Sequence, residues 1–373
     1  MASSLEVGLQ QFRSLTIAHP HLVAARERLM TALADSPRNC VILVFGPTGV
    51  GKTTLRARVE RDITASLAPE LQHDLERLTV VSVEAVAPDS GNFNWRDHFK
   101  RLLEAMREPL IEYKLDRKKP MRRATPLLPF ERVSRWSGAE YQYAVEQALR
   151  YRKPAAVLID EAQHLAKMGS GRRLLDQLDV IKSIAGRTAT PHVLVGAYDL
   201  VAFRNLSGQL SRRGVDVHFG RYRADRPADR AAFVNVVRTL AARLPLSEPP
   251  DLAKDWEFLY ERSIGCVGIL KDWLVKALFA MMRRSGHQLE RRDLNASALP
   301  VSQCEKLLSE CLEGETHMEE TPDGRLRLRA HLGLDDELGQ HPPGQASRQP
   351  RRRPGQRLPK RDAIGASAAV HAS

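Results

Sequence analysis

Short apolar runs punctuate the first 220 residues at Cys40–Phe45, Leu78–Ala85, Ala155–Ile159, His192–Val195 and Val215–Phe219. Ala155–Ile159 has no polar alternation, as expected of a strand inside a parallel sheet covered on both faces. Helical periodicity fills the intervals. Ser137 and Glu140 have the spacing of a capping box, and Tyr141, Ala144, Val145, Ala148 and Leu149 follow as one apolar stripe. Leu174, Leu175, Leu178, Ile181 and Ile184 repeat the pattern. Strands alternating with helices predict an α/β fold with a five-stranded parallel sheet. Ahead of it, residues 1–38 form a helical lead-in, with Leu22, Ala25, Leu29 and Leu33 packed on that sheet domain.

Beyond Arg226-Pro227 the pattern is wholly helical. Its longest helix starts near Gly268 and aligns Leu270, Trp273, Leu274, Ala277, Leu278 and Met281 on one face. A helix over Val301–Glu313 follows, then a hairpin through Pro322-Asp323-Gly324 into Arg325–His331. The expected organisation is a lead-in (1–38), a core (39–224) with an insertion at 87–136, a helical lid (225–286), a small extension (287–339) and a basic, disordered tail (340–373).

The first strand runs into Gly46, Pro47, Thr48, Gly49, Val50, Gly51, Lys52, Thr53 and Thr54, and a helix-compatible segment follows. This is a P-loop. Its glycines let successive N–H groups turn inward on a phosphate, and the next helix points its positive end at the same anion. Lys52 is then suited to the β- and γ-phosphates of ATP and the Thr53 hydroxyl to Mg²⁺. The strand ending Ile159-Asp160-Glu161 supplies two carboxylates, Asp160 for Mg²⁺ and Glu161 for the attacking water. Hydrolysis is expected, not binding alone.

The 373 residues carry a net charge of +12, which makes acidic partners such as nucleic acid plausible. About half of the excess lies in residues 340–373. A second basic run, Lys114, Arg117, Lys118, Lys119, Arg122 and Arg123, interrupted by Asp116, lies in the insertion. It reads as a phosphate-contacting surface or as a solvated loop. Trp95 reads as a core anchor rather than a contact aromatic. Cys40, Cys266, Cys304 and Cys311 lack metal-ligand spacing and are expected as thiols. No membrane span or signal peptide is readable, so the expectation is a soluble, cytoplasmic protein.

A helical lid after a five-stranded P-loop core is the layout of the AAA+ class. The chain resembles the TniB/TnsC/MuB group of AAA+ transposition ATPases, most closely TniB, over roughly residues 12–315. The likeness rests on Gly46–Thr54, the Asp160-Glu161-Ala162-Gln163-His164-Leu165 box, Gln209–Arg213 and Gly265–Lys271. It implies an ATP-dependent, non-sequence-specific binder of double-stranded DNA. Such a protein forms homo-oligomeric rings or helical filaments and presents the target to a transposase. It also implies that Arg213, or Arg212, is an arginine finger on a neighbour's ATP, with two solvated arginines as the alternative. Lys271 is a candidate second sensor unless Asp272 neutralises it. The same acidic box is similar to that of ExeA-type ATPases, so an assembly ATPase remains a second expectation. A nucleotide-bound switch with little turnover is the third. The family usually carries a polar residue after the glycine closing the fourth strand, whereas Gly196 is followed here by Ala197.

Overall fold

The computed structural model describes residues 2–87, 93–109, 111, 137–166, 172–206, 215–318 and 322–334. They divide into two units, Met1–Met318 and Glu319–Ser373.

The first unit opens with α1 (Ala2–Ser14) and α2 (Pro20–Asp35). The sheet strands are β1 (Val41–Phe45), β2 (Val81–Glu84), β3 (Val157–Asp160), β4 (His192–Gly196) and β5 (Val215–His218). They are all parallel, in the order β2-β3-β4-β1-β5. The interleaved helices are α3 (Lys52–Leu71), α4 (Trp95–Ala105), α5 (Gly138–Arg152), α6 (Gln163–Ala166), α7 (Arg172–Thr188) and α8 (Val201–Leu206). The α/β expectation therefore holds; β1, β2 and β5 are shorter than their apolar runs by one to four residues, while β3 and β4 each reach one residue further, to Asp160 and Gly196.

Period-two geometry explains the two-sided core. Val41, Leu43 and Phe45 of β1 join one cluster with Phe99, Val145, Leu149 and Ile181, while Ile42 and Val44 join another with Leu29, Leu55 and Val59. Each such fully buried aliphatic side chain contributes about 1.5–3 kcal/mol relative to exposure. Ser137 caps α5 reciprocally with Glu140. Trp95 packs beside Phe93, His98 and Phe99, and its indole N–H donates to Gln177.

Helices α9 (Pro227–Ala242), α10 (Trp256–Ser263), α11 (Val267–Arg283), α12 (Arg291–Ser297) and α13 (Val301–Thr316) follow. Phe233, Val237, Leu240, Leu270, Trp273 and Leu274 form a third cluster there. The lead-in is split between clusters. Leu22, Ala25 and Leu29 of α2 pack on the sheet, as the periodicity indicates, but Leu9 and Phe12 of α1 pack into the helical cluster.

In the second unit the expected hairpin is replaced by a helix, α14 (Pro322–His331). Pro322 is compatible with a first helical position, and Asp323 in the first turn and Arg329 and His331 in the last complement the macrodipole. These terminal signals outweigh the Pro322-Asp323-Gly324 turn signal that suggested a hairpin. Gly333 (φ 67°) ends the helix, with its N–H donating to the Ala330 carbonyl at 3.1 Å.

Candidate active site

The C-terminal edge of the sheet assembles the site. Phe45 is in register with Gly196 across β1 and β4, and Glu84 with Asp160 across β2 and β3. The loop leaving β1 turns through Gly49 (φ 77°) and Gly51 (φ 111°), conformations that glycine adopts without a Cβ penalty. Gly51 caps α3, whose first turn contains no acidic residue, so its positive end stays open to an anion. Lys52 is buried, and its Nζ donates to the carbonyls of Gly46 (3.0 Å) and Pro47 (2.9 Å). Burial lowers the Lys52 pKa from its ordinary value, an effect opposed by Glu161 and Asp160. A phosphate arriving at the loop would strengthen the charged form.

Thr53, Arg56, Ser82, Glu84, Asp160, Glu161 and His164 line one cavity of about 370 Å³. The sequence-expected trio Thr53, Asp160 and Glu161 is thus brought together from α3 and the end of β3. A hydroxyl and a carboxylate are hard oxygen donors of the kind Mg²⁺ takes. Among the described residues no group of three or more His, Cys, Asp or Glu could hold a metal. A magnesium site shared between one carboxylate, one hydroxyl, water and phosphate needs no such cage.

Two features of this cavity were not anticipated from the motifs. Arg56, one helical turn beyond Lys52, donates Nε to Asp160 Oδ2 at 3.1 Å and also pairs with Glu60 (3.3 Å). A guanidinium thus faces the buried Asp160 carboxylate. Gln163, quoted within the acidic box but given no task, hydrogen-bonds the Glu161 carboxylate. The Lys52-to-Arg56 spacing hinted at the first feature, since residues four apart share a helix face. Nothing in the linear pattern pointed to the partner of Gln163.

The start of α11 closes over the P-loop by backbone contact. Ile269 N–H donates to the Gly49 carbonyl at 3.2 Å. A Cβ on Gly268 would lie 2.4 Å from that carbonyl oxygen, so only glycine permits the approach. Lys271, the candidate second sensor, is engaged by backbone carbonyls. Its Nζ donates to the carbonyls of Arg13 (2.7 Å) and Leu15 (2.6 Å), at and just beyond the end of α1. The carbonyls at the end of α1 need donors, which gives a lysine in the first turn of α11 a structural partner. Burial lowers the Lys271 pKa, with Asp272 opposing.

A buried ion pair ties the C-terminal helix to the core. Arg221, just after β5, donates Nε and Nη2 to Glu315 Oε1 (2.8 Å) and Oε2 (3.1 Å) of α13. Next to Glu315, Gly314 packs flat on Tyr198, whose hydroxyl bonds His218 Nε2 at 2.9 Å. Burial, with Glu315 adding to it, pushes the Tyr198 pKa well up, so the phenol stays neutral. Burial lowers the His218 pKa. Arg212 and Arg213, and the basic residues Lys114, Arg117, Lys118, Lys119, Arg122 and Arg123, lie outside the described residues, as does the tail beyond 334. All four cysteines are free and buried. No helix among the described residues is long and apolar enough to cross a membrane.

The parallel sheet, the glycine loop on a helix N-terminus and the paired carboxylates define the AAA+ P-loop fold. A family model described as an AAA domain matches residues 37–202. Nucleotide binding follows from this fold, and an AAA domain supports nucleotide hydrolysis in general. Among solved structures the chain is similar to the ORC2 protein of Aeropyrum pernix, at 18% identity and a TM-score of 0.48, covering 79% of this chain and 71% of that one. It is similar to a Walker-type ATPase of Pyrococcus abyssi at 17% identity and a TM-score of 0.41, covering 83% and 75%. A further similar structure is Drosophila ORC bound to DNA, at 14% identity and a TM-score of 0.47, covering 88% and 83%. No curated protein matches the chain.

Proposed function

We propose that the protein is a cytoplasmic, ATP-hydrolysing AAA+ protein that oligomerises on double-stranded DNA and regulates or recruits a transposase. The observation that carries the catalytic part is the convergence of Thr53, Asp160 and Glu161 on one cavity, immediately beside Lys52. A water oxygen bonds to the γ-phosphorus, and its proton passes to Glu161. The bond from that phosphorus to the β,γ-bridging oxygen breaks, and its electron pair leaves with ADP. Lys52 and the loop N–H groups hold the phosphates. Thr53 and Asp160 would hold Mg²⁺, which when bound offsets phosphate charge; Arg56 must then yield Asp160. Arg213, with Arg212 as the alternative, acts on the ATP of an adjacent copy.

The DNA and transposase parts draw on the net charge of +12, the Lys114–Arg123 run and the likeness to TniB-type proteins. Contacts to backbone phosphates suit a protein that coats DNA without sequence choice. Co-sedimentation with long duplex DNA tests the reading. The expected result is pelleting with ATP, its loss in Lys52→Ala, and its persistence in Glu161→Gln when wild type has disassembled. Absence of ATP-dependent pelleting at low salt would sink it. A nucleotide-bound switch is the second reading, favoured by the nonpolar Ala197 after Gly196. It requires phosphate release no faster from wild type than from Glu161→Gln.

A further inference from the structure

Glu161 lies in the β3–α6 turn in the left-handed backbone region, with φ 52°. A non-glycine residue there costs about 1–3 kcal/mol and persists only where its surroundings hold it. Here the hold is dense. Glu161 N–H donates to Asp160 Oδ1 (3.0 Å), Ala162 N–H to the Val195 carbonyl (2.9 Å), and His164 N–H to the Glu161 carbonyl (3.0 Å). These bonds hold the backbone of the turn and leave its carboxylate unpositioned.

Gln163 supplies the remaining constraint. Its side chain is nearly buried, at 8% exposure. Nε2 donates to Glu161 Oε2, and Oε1 accepts the Ala197 N–H at 3.1 Å. The amide can point only one way, because reversing it would set oxygen against carboxylate and N–H against N–H. The last residue of β4 is shaped for it: a Cβ on Gly196 would lie 2.4 Å from Gln163 Oε1 and 3.0 Å from Gln163 N. The Ala197 side chain has no polar atom, so the link from the end of β4 to Glu161 runs through its backbone N–H and this amide. Tyr198, the next residue, touches Gly314 of α13, so the same corner of β4 is in contact with a distant helix.

We infer that Gln163 is a positioning residue. It holds one oxygen of Glu161 and leaves the other to the attacking water, and it ties that orientation to the end of β4. The inference rests on the hydrolysis reading above. Its test is steady-state ATP turnover by the 373-residue protein with and without long duplex DNA, alongside binding of a fluorescent ATP analogue. Gln163→Ala should lower kcat about 10–100-fold, with KM and analogue affinity within about twofold of wild type. Gln163→Glu keeps the shape and the acceptor to Ala197 but loses the donor, and it should lower kcat as much as Gln163→Ala does.

A part in packing alone predicts that the isosteric Glu restores kcat. That result would overturn the inference, as would unchanged kcat in Gln163→Ala or a parallel loss of analogue binding in both variants. A wild type that turns over no ATP would bring down the hydrolysis reading itself. Active wild type with an unimpaired Gln163→Ala brings down this inference only.

Discussion

The P-loop and the β3–β4 corner both lie at the C-terminal edge of the sheet but are built in opposite ways. Residues Gly46–Thr54 are contiguous, and what they present is mostly backbone: N–H groups, a helix N-terminus and one lysine folded onto its own loop carbonyls. At the corner, side chains from distant segments meet, with Asp160 bonded to Arg56 and Gln163 spanning Glu161 and Ala197. A backbone cradle depends on conformation and tolerates little added bulk. A side-chain network depends on pairing, and it fails when one partner is removed.

The largest expected effect separates the two directly. Lys52→Ala should weaken binding of ATP and its analogues and lower turnover by about 100-fold or more, whereas Glu161→Gln should keep binding and lose turnover. Equilibrium titration with a fluorescent nucleotide and a phosphate-release assay read the pair. Equal loss of binding in both would erase the distinction between cradle and corner.

Next in size is the Arg221–Glu315 pair, the most buried ion pair among the described residues. Glu315→Ala leaves the guanidinium without its carboxylate and should destabilise the fold by about 3–5 kcal/mol. Chemical denaturation measures this, and a loss under about 1 kcal/mol would mean that water reaches Arg221. The smallest effect expected is on the backbone side. Gly268→Ala pushes a methyl against the Gly49 carbonyl and should cost about 1–3 kcal/mol. It should also weaken nucleotide binding, because α11 must back away from the loop. Unaltered nucleotide affinity in a folded Gly268→Ala would show that the lid contact does not shape the cradle.

The legible parts of the chain share a property: each declares itself within about twenty consecutive residues. The β1 run, the glycine loop, the Ser137/Glu140 cap and the apolar stripe of α5 are all of this type. Lys271 shows the converse, a partner that the linear order does not reveal. In sequence it is a first-turn lysine in need of an anion, while its actual partners are carbonyls more than 250 positions away. The segment 322–331 misled because Pro-Asp-Gly serves a helix start as well as a turn, and the terminal charges decided for the helix.

Amino-acid order alone therefore determined the sheet strands, the glycine loop and the capped helix α5, because backbone geometry and capping are local properties. Tertiary structure decided what each charge faces: Arg56 on Asp160, Gln163 on Glu161, Lys271 on α1 and Arg221 on Glu315. A buried charge must find a counter-charge or hydrogen-bond partner wherever the packed chain supplies one. Packing brings those partners from residues that are remote in sequence.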